Sequence, residues 1–459
     1  MKLYKGRIPS DPNPLMDAIN RSLPFDIRLL PYDVATNQAW AGELQRLGVF
    51  DEAEHGAVVA RLSAIMASFE AGAFDPLPDD EDVHTLVERL LTEELGATGA
   101  RIHTGRSRND QVVCDLRLYT RDSLDELNKA LLGLISVITD RGLEHADTLL
   151  AGTTHMQPAL PITLGHFLFS LGFALVRDQT RLIETRARVN ACPLGAGAMA
   201  GSGFPVDREA LASAMGFESV LPNSIDAVSD RDFCQETAAA CTMLVTHLSR
   251  YAEQFIIWAN PAFGYVRFSD QWSTGSSMMP QKRNPDAMEL IRGKAARTLG
   301  AFTTLMTLTK GVPLSYAKDL QEDKEPLFDI LDNTILAVRV FKEALGSACF
   351  KPERLAAMLS DDMLATDLAD ALARSGLPFR SAHEKVGALV SELEASGKTL
   401  LQLTPEQLVI RFPELSQNPP ELSFAGSVAQ RIVSGGAAPA RVRDQAEQLA
   451  AFLKQQGHS

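Results

Sequence analysis

The chain has 459 residues, 45% hydrophobic and 22% charged, with ordinary glycine and proline counts of 31 and 24; that is enough apolar side chain for a large core in two or three domains and argues against disorder. A net charge of −14 excludes a sequence-independent grip on nucleic acid. The five cysteines, at 114, 192, 234, 241 and 349, form no Cys-x-x-Cys pair, which excludes a disulfide framework and a cysteine zinc site.

The first residues, Met1-Lys2-Leu3-Tyr4-Lys5-Gly6-Arg7, lack the apolar run of a signal peptide. No stretch of membrane-spanning length is apolar throughout, so the expected location is the cytoplasm, without a membrane partner. Residues 1–31, broken by Pro9, Pro12 and Pro14, read as an irregular arm. From Tyr32 to about Phe74 the pattern is helical. Asp51 caps a second helix after Gly48, with Glu52 and Glu54 in its first turn. Residues 75–82 are acidic and read as a solvated loop with a helix cap. His84 and Glu88 lie one helical turn apart. A third metal ligand is not visible nearby, so no metal is expected and His84 reads as a surface or interface histidine.

The run His103-Thr104-Gly105-Arg106-Ser107-Arg108-Asn109-Asp110-Gln111 puts two arginines beside hydroxyl and amide donors. That set suits anion recognition, and it also suits a helix-capping turn with solvated arginines. A long amphipathic helix covers 112–146. Gly152-Thr153-Thr154-His155-Met156-Gln157-Pro158 interrupts the pattern before another helix at about 162–190. Residues 195–204 are glycine-rich like a dinucleotide loop, but no strand precedes them and no βαβ unit surrounds them, so a Rossmann reading fails. Long helical patterns fill 233–260, 286–311 and 325–349. The first is apolar nearly all round and should be buried in a bundle. After 360 the helices shorten. No clear strand, tandem repeat or low-complexity tract is written anywhere.

The most informative stretch is Gly275-Ser276-Ser277-Met278-Met279-Pro280-Gln281-Lys282-Arg283-Asn284-Pro285-Asp286. It reads as an ordered loop feeding a helix, with Asn284 as N-cap and Pro285 at the first helical position. Backbone N–H groups converging around Gly275-Ser276-Ser277, the Lys282 charge and a helix N-terminus would together receive a carboxylate.

This stretch closely resembles the signature loop of the fumarase/aspartase superfamily, and its Pro-Gln-Lys-Arg-Asn-Pro-Asp wording resembles the argininosuccinate lyase branch. The Arg106-Ser107-Arg108-Asn109-Asp110, Thr154-His155-x-Gln157-Pro158, 223–232 and Asp319-Leu320-Gln321-Glu322-Asp323-Lys324 segments resemble that branch in the same order. So do Ser427-Val428 and Gly435-Gly436 near the C-terminus. The resemblance therefore covers nearly the whole chain. It implies that Ser276 abstracts the proton, that Lys282 and Asn284 hold the succinyl carboxylates, and that His155, backed by Glu289, lies beside the leaving group. It implies substrate contacts from Ser107, Arg108, Asn109, Thr154 and Gln157, and an arginine-holding role for Tyr316, Gln321 and Lys324. His84 and Asn37 occupy family positions near the substrate pocket and are carried as binding candidates. Departures stand at Asn37, Trp40, Val87, Leu160 and Ala317, where the family often has serine, histidine, asparagine, glutamine and asparagine.

Such a reaction removes a proton beside a carboxylate and expels a guanidinium nitrogen. It needs a base, stabilisation of a doubly charged carbanion and an acid. Neither a metal nor an organic cofactor is required. The expected fold is all-α in three domains, 1–104, 105–360 and 361–459, with a central bundle of five long helices. The resemblance implies a homotetramer with a twenty-helix core, whose active sites are shared between subunits and take argininosuccinate to arginine and fumarate. The alternatives are a lyase of the same branch acting on another N-substituted aspartate, and an inactive structural relative like the δ-crystallins. Oligomerisation is expected through 233–260.

Overall fold

The computed structural model describes residues 13–74 and 76–458. Pro9, Pro12 and Asp75 of the sequence expectations lie outside them. The protein is all-α, as expected. Among the described residues five helices dominate: Arg108–Glu144, Leu164–Val189, Asp232–Ala259, Asp286–Leu308 and Lys324–Gly346. Their ends fall within a few residues of the periodic segments, because apolar residues recur at helical spacing along each.

The chain divides into two compact units. The first takes residues up to Lys129, Thr180–Leu244 and Ala295–Ile335; the second takes Ala130–Gln179, Val245–Lys294 and residues from Leu336 onward. Each long helix contributes residues to both.

In the first unit, helices Leu30–Arg46, Glu52–Glu70 and Val83–Leu95 bury Leu44, Leu62, Ile65 and Leu86. The cap at Asp51 forms as expected. Its carboxylate accepts the Glu54 N–H at 2.8 Å, and the Glu54 side chain accepts the Asp51 N–H at 3.1 Å. Two expectations fail here. The arm is not irregular from residue 14 on, because Asn13 caps a short helix, Pro14–Asn20, and Pro14 fits its first turn. The acidic loop is not wholly solvated either. Asp80 is buried and accepts both Arg89 Nε at 2.7 Å and Nη2 at 2.8 Å.

In the second unit, Leu149–Thr154 and Gln157–Thr163 pair antiparallel, against the expectation of no strand. Pro158 and Pro161 concealed the pattern. A two-stranded ribbon tolerates them, since each strand has an unpaired edge. Helices Ala365–Arg374, Phe379–Ala395 and Pro405–Arg411 close around Leu368, Leu372, Leu389, Leu408 and Leu415.

Helix Asp232–Ala259 is buried as its all-round apolarity implies, and Met243 is its one exposed large apolar side chain. Helix Asp286–Leu308 leaves large apolar side chains to solvent on both flanks of its buried stripe. There Leu290, Leu299 and Met306 are 63%, 53% and 46% exposed, and only a narrow stripe of Met288, Ile291, Thr298 and Leu305 is buried.

Candidate active site

The signature loop, in the second unit, is the connection of a minimal hairpin, Thr274–Gly275 against Arg283–Asn284. Inside it the Ser276 Oγ accepts backbone N–H groups from Met278 at 3.3 Å and Met279 at 3.0 Å. Two amides aimed at one hydroxyl oxygen favour its charged form. The helix start differs by a residue from the expectation. Pro285 O accepts the Met288 and Glu289 N–H groups at 2.9 and 3.2 Å, and the helix runs from Asp286. Asn284 is held extended by the hairpin and by the proline after it. Its Nδ2 donates to Thr274 Oγ1 at 3.4 Å instead of its Oδ1 capping the helix.

Lys282, Asn284 and Glu289 line one groove of about 1140 Å³ together with Arg267, Arg283 and Lys351. Its charge is positive in a chain whose net charge is −14. Ser276 lies outside its lining.

His155 occupies the tip of the Leu149–Thr154/Gln157–Thr163 hairpin. Thr154 pairs with Gln157, and the two residues between, His155 and Met156, have φ of 53° and 60°. Positive φ at both positions is the geometry that a two-residue hairpin loop favours, here adopted without glycine. Thr154, His155 and Gln157 are all exposed. Among the described residues no ion pair joins His155 to Glu289 within one chain; Glu289 lies 3.9 Å from Arg292.

The remaining candidates belong to the first unit. Ser107 Oγ accepts the Asn109 N–H at 3.2 Å, and Asp110 Oδ1 accepts the Ser107 N–H at 3.1 Å, which caps helix Arg108–Glu144. Asn109 Nδ2 donates to Ala198 O at 3.2 Å. Arg108 is half-buried and bonds Gln111 Oε1 at 3.2 Å and Thr85 Oγ1 at 3.4 Å. Asp110 also accepts the N–H groups of Gly195 and Gly197, at 2.9 and 2.8 Å. The glycine-rich segment is thus a close-approach turn, as its sequence context suggested. Gln321 Nε2 donates to Asn20 O at 2.9 Å. Lys324 is buried, 3.2 Å from Asp323, which also pairs with Arg231. Tyr316 is half-buried just upstream of them.

His84 is not a surface histidine. It is 1% exposed, with Nδ1 at 2.8 Å from Asp33 and 3.3 Å from Asp115. Thr36 donates to Asp115 at 2.5 Å, Gln111 to Asp33 at 2.5 Å, and Asn37 to Asp33 at 2.9 Å. Burial disfavours the imidazolium, but the Asp33 charge and the hydrogen bonds to both aspartates outweigh it and push the His84 pKa up to about 10. Burial also acts against the Asp33 carboxylate, yet His84 and Arg106 hold its pKa low. Asp115 is raised by burial and by Asp33. The three ligand-type atoms of Asp33, His84 and Asp115 lie within 4.8 Å of one another. The Gln111 and Asn37 amides and the Thr36 hydroxyl already donate to these carboxylates and the Arg106 charge lies near Asp33, so the arrangement is that of a buried ion-pair network. Sequence reasoning missed Asp33 and Asp115. The available signals were Asp33 one turn before Asn37, and Asp115 one turn after Gln111.

Residues 6–300 match the family model described as Lyase, and residues 362–429 match that of the argininosuccinate lyase C-terminal region. The argininosuccinate lyase of Chloroflexus aggregans is 45% identical over 454 residues, 98% of each chain. The chain belongs to the argininosuccinate lyase family. The family member from Hyphomonas neptunium is 43% identical over 449 residues, 97% of each chain. Among solved structures, an EDDS lyase variant with bound fumarate superposes with a TM-score of 0.82 at 26% identity, over 94% of this chain and 87% of that one. A fumarate lyase from Mesorhizobium sp. BNC1 shares the fold, with a TM-score of 0.73 at 18% identity over 91% and 95% of the two chains.

Proposed function

We propose that the chain is an argininosuccinate lyase, cleaving 2-(Nω-L-arginino)succinate reversibly to L-arginine and fumarate as the last step of arginine biosynthesis in the cytoplasm. The observation that carries the reading is Ser276, its Oγ held by two backbone amides in a loop whose Lys282 and Asn284 line a cationic groove. A serine hydroxyl is a weak base, and amide donors with a nearby lysine lower the cost of its alkoxide. Ser276 removes the proton beside the carboxylate. Lys282 and Asn284 hold the succinyl carboxylates as negative charge builds. His155, oriented by Glu289, stands beside the departing nitrogen, with Thr154 and Gln157 as further contacts. Ser107, Arg108 and Asn109 bind substrate at the start of helix Arg108–Glu144, and Tyr316, Gln321 and Lys324 hold the arginine half. His84 and Asn37 belong to the buried network behind them. No metal or organic cofactor enters.

The working form is a homotetramer whose sites draw on more than one chain. The exposed apolar side chains of Asp286–Leu308 support this, Leu290 on one flank and Leu299 with Met306 on the other, because large apolar side chains left to water on both flanks of one helix are what neighbouring subunits would cover. So does the exposure of Thr154, His155 and Gln157. Of the proposed three-part division, 1–104, 105–360 and 361–459, the boundary at 360/361 is supported by the separate C-terminal family match from 362. The test is direct: purified, assembled protein with argininosuccinate should raise fumarate absorbance. A flat trace refutes the reading, and turnover of another N-substituted aspartate in its place would move the assignment within the branch.

A further inference from the structure

Arg106 carries a charge in a place with few partners for it. Its side chain is 8% exposed, and among the described residues the single hydrogen-bond acceptor of its guanidinium is Asn37 Oδ1, at 2.7 Å from Nη2. Nε and Nη1 are buried without a hydrogen-bond partner. The guanidinium carbon lies 5.8 Å from the Trp40 ring centroid. Asn37 is itself fully committed. Its Nδ2 donates to Asp33 O at 2.8 Å and to Asp33 Oδ2 at 2.9 Å, and it is 2% exposed. Turning the amide over would present a carbonyl oxygen to a carboxylate and an N–H to a guanidinium, so its orientation is fixed.

The backbone beside Arg106 is gripped as well. Arg106 N donates to His103 O at 3.2 Å, Trp40 Nε1 to Thr104 O at 3.2 Å, and Ser202 Oγ to Gly105 O at 2.7 Å. Gly105 has φ of 75°, and a Cβ there would lie 2.8 Å from Phe204 Cδ2, so a side chain at this turn would be strained and would displace Phe204. Everything that fixes residues 103–106 therefore fixes the direction in which Ser107, Arg108 and Asn109 leave it.

We infer that Arg106 and Asn37 act as one positioning unit: Asn37 holds the Arg106 guanidinium and touches no substrate, and Arg106 sets the loop that presents Ser107, Arg108 and Asn109. The inference rests on those three residues binding substrate. It reassigns Asn37 from contact to support, and it adds Arg106, which faces the buried network and not the substrate.

Two substitutions and their combination test it. Arg106→Lys keeps a buried cation beside Asp33 and Asp110 but loses the planar fork that reaches Asn37. Asn37→Leu keeps the volume and removes the acceptor. Each should raise KM for argininosuccinate about tenfold or more while kcat stays within about threefold, because binding geometry is lost and the base is not touched. The double variant should be no worse than the poorer single variant, since both break one link. Amide hydrogen exchange should quicken across 103–109 in both single variants and stay unchanged in helix Asp232–Ala259. An unchanged KM overturns the inference, and so do multiplicative effects in the double variant, which would mean that Asn37 meets substrate on its own. Should Asn37→Leu fail to fold, Asn37→Ala carries the same measurements. Wild-type protein inactive on argininosuccinate would sink the proposed function alone. The exchange measurement still decides this inference in that case, because unaltered exchange at 103–109 refutes it.

Discussion

The buried network around His84 makes stability depend on pH in a direction fixed by its geometry. The imidazole lies 2.8 Å from Asp33 and 3.3 Å from Asp115, and its pKa rises from 6.5 to about 10. The folded state therefore binds a proton that the unfolded chain releases near 6.5. That contribution is fully present below pH 6.5 and is lost as pH rises through about 10. At roughly 1.4 kcal/mol per pH unit, the shift sets a ceiling of about 5 kcal/mol, a large part of a typical folding free energy. Asp115 is raised too, so the proton belongs to the cluster and not to one atom. The assay is denaturant-induced unfolding followed across this window for wild type and for His84→Gln, whose amide still donates to Asp33. Wild type should lose stability steadily with rising pH. The variant should begin lower and run nearly flat. Parallel pH dependences in the two proteins would refute a charged, ion-paired His84.

Ser276→Ala should abolish turnover while keeping substrate binding, with several powers of ten lost in kcat at about 1.4 kcal/mol each; a variant keeping a tenth of wild-type turnover rules Ser276 out as base. Lys324→Met and Gln321→Ala should weaken argininosuccinate binding more than fumarate inhibition, because fumarate lacks the arginine half, and equal losses for both ligands contradict the assignment. Inactive Ser276→Ala and inactive His155→Asn, unfolded together and reassembled in equal amounts, should regain up to about a quarter of wild-type activity if the two residues of one site come from different subunits. Verified mixed tetramers without activity would place both residues in one chain.

The long helices were legible because each repeats apolar residues at helical spacing over more than six turns, and the cap at Asp51 was legible because one short motif writes it. The loop around Ser276 was read as converging amides of Gly275-Ser276-Ser277, whereas the amides that meet are those of Met278 and Met279, on the Ser276 hydroxyl. What escaped were features that need two distant segments to meet. His84 looked like a surface residue because its aspartate partners stand 51 and 31 positions away along the chain, at Asp33 and Asp115. The His155 hairpin escaped because Pro158 and Pro161 sit where a strand reading expects none. Asn284 read as a cap because local propensity favours it there, and the pairing of Arg283–Asn284 with Thr274–Gly275 overrode that propensity.

Under the proposed function two kinds of environment would divide the work. Lys324, His84, Asn37 and Arg106 are buried charges and amides, each committed to a partner within the chain, and they would hold recognition groups in fixed directions. Lys282, His155 and Glu289 are exposed side chains on short connections and a first helical turn. Exposed groups in water make poor acid–base and charge-stabilising machinery, since a high dielectric weakens every interaction they offer. The left-handed pair at His155 and Met156 is what a two-residue hairpin loop requires, and it holds His155 out at a solvent-facing tip. In the proposed active site a second surface would close over that tip. In the proposed tetramer the exposed Leu290, Leu299 and Met306, on the helix that begins at the signature loop, are where other copies of the chain would bring that surface. On this reasoning assembly does more than stabilise the bundle. Under the proposed function it would also remove water from Ser276, Lys282 and His155, and the weak base and the developing carboxylate charge would both need that.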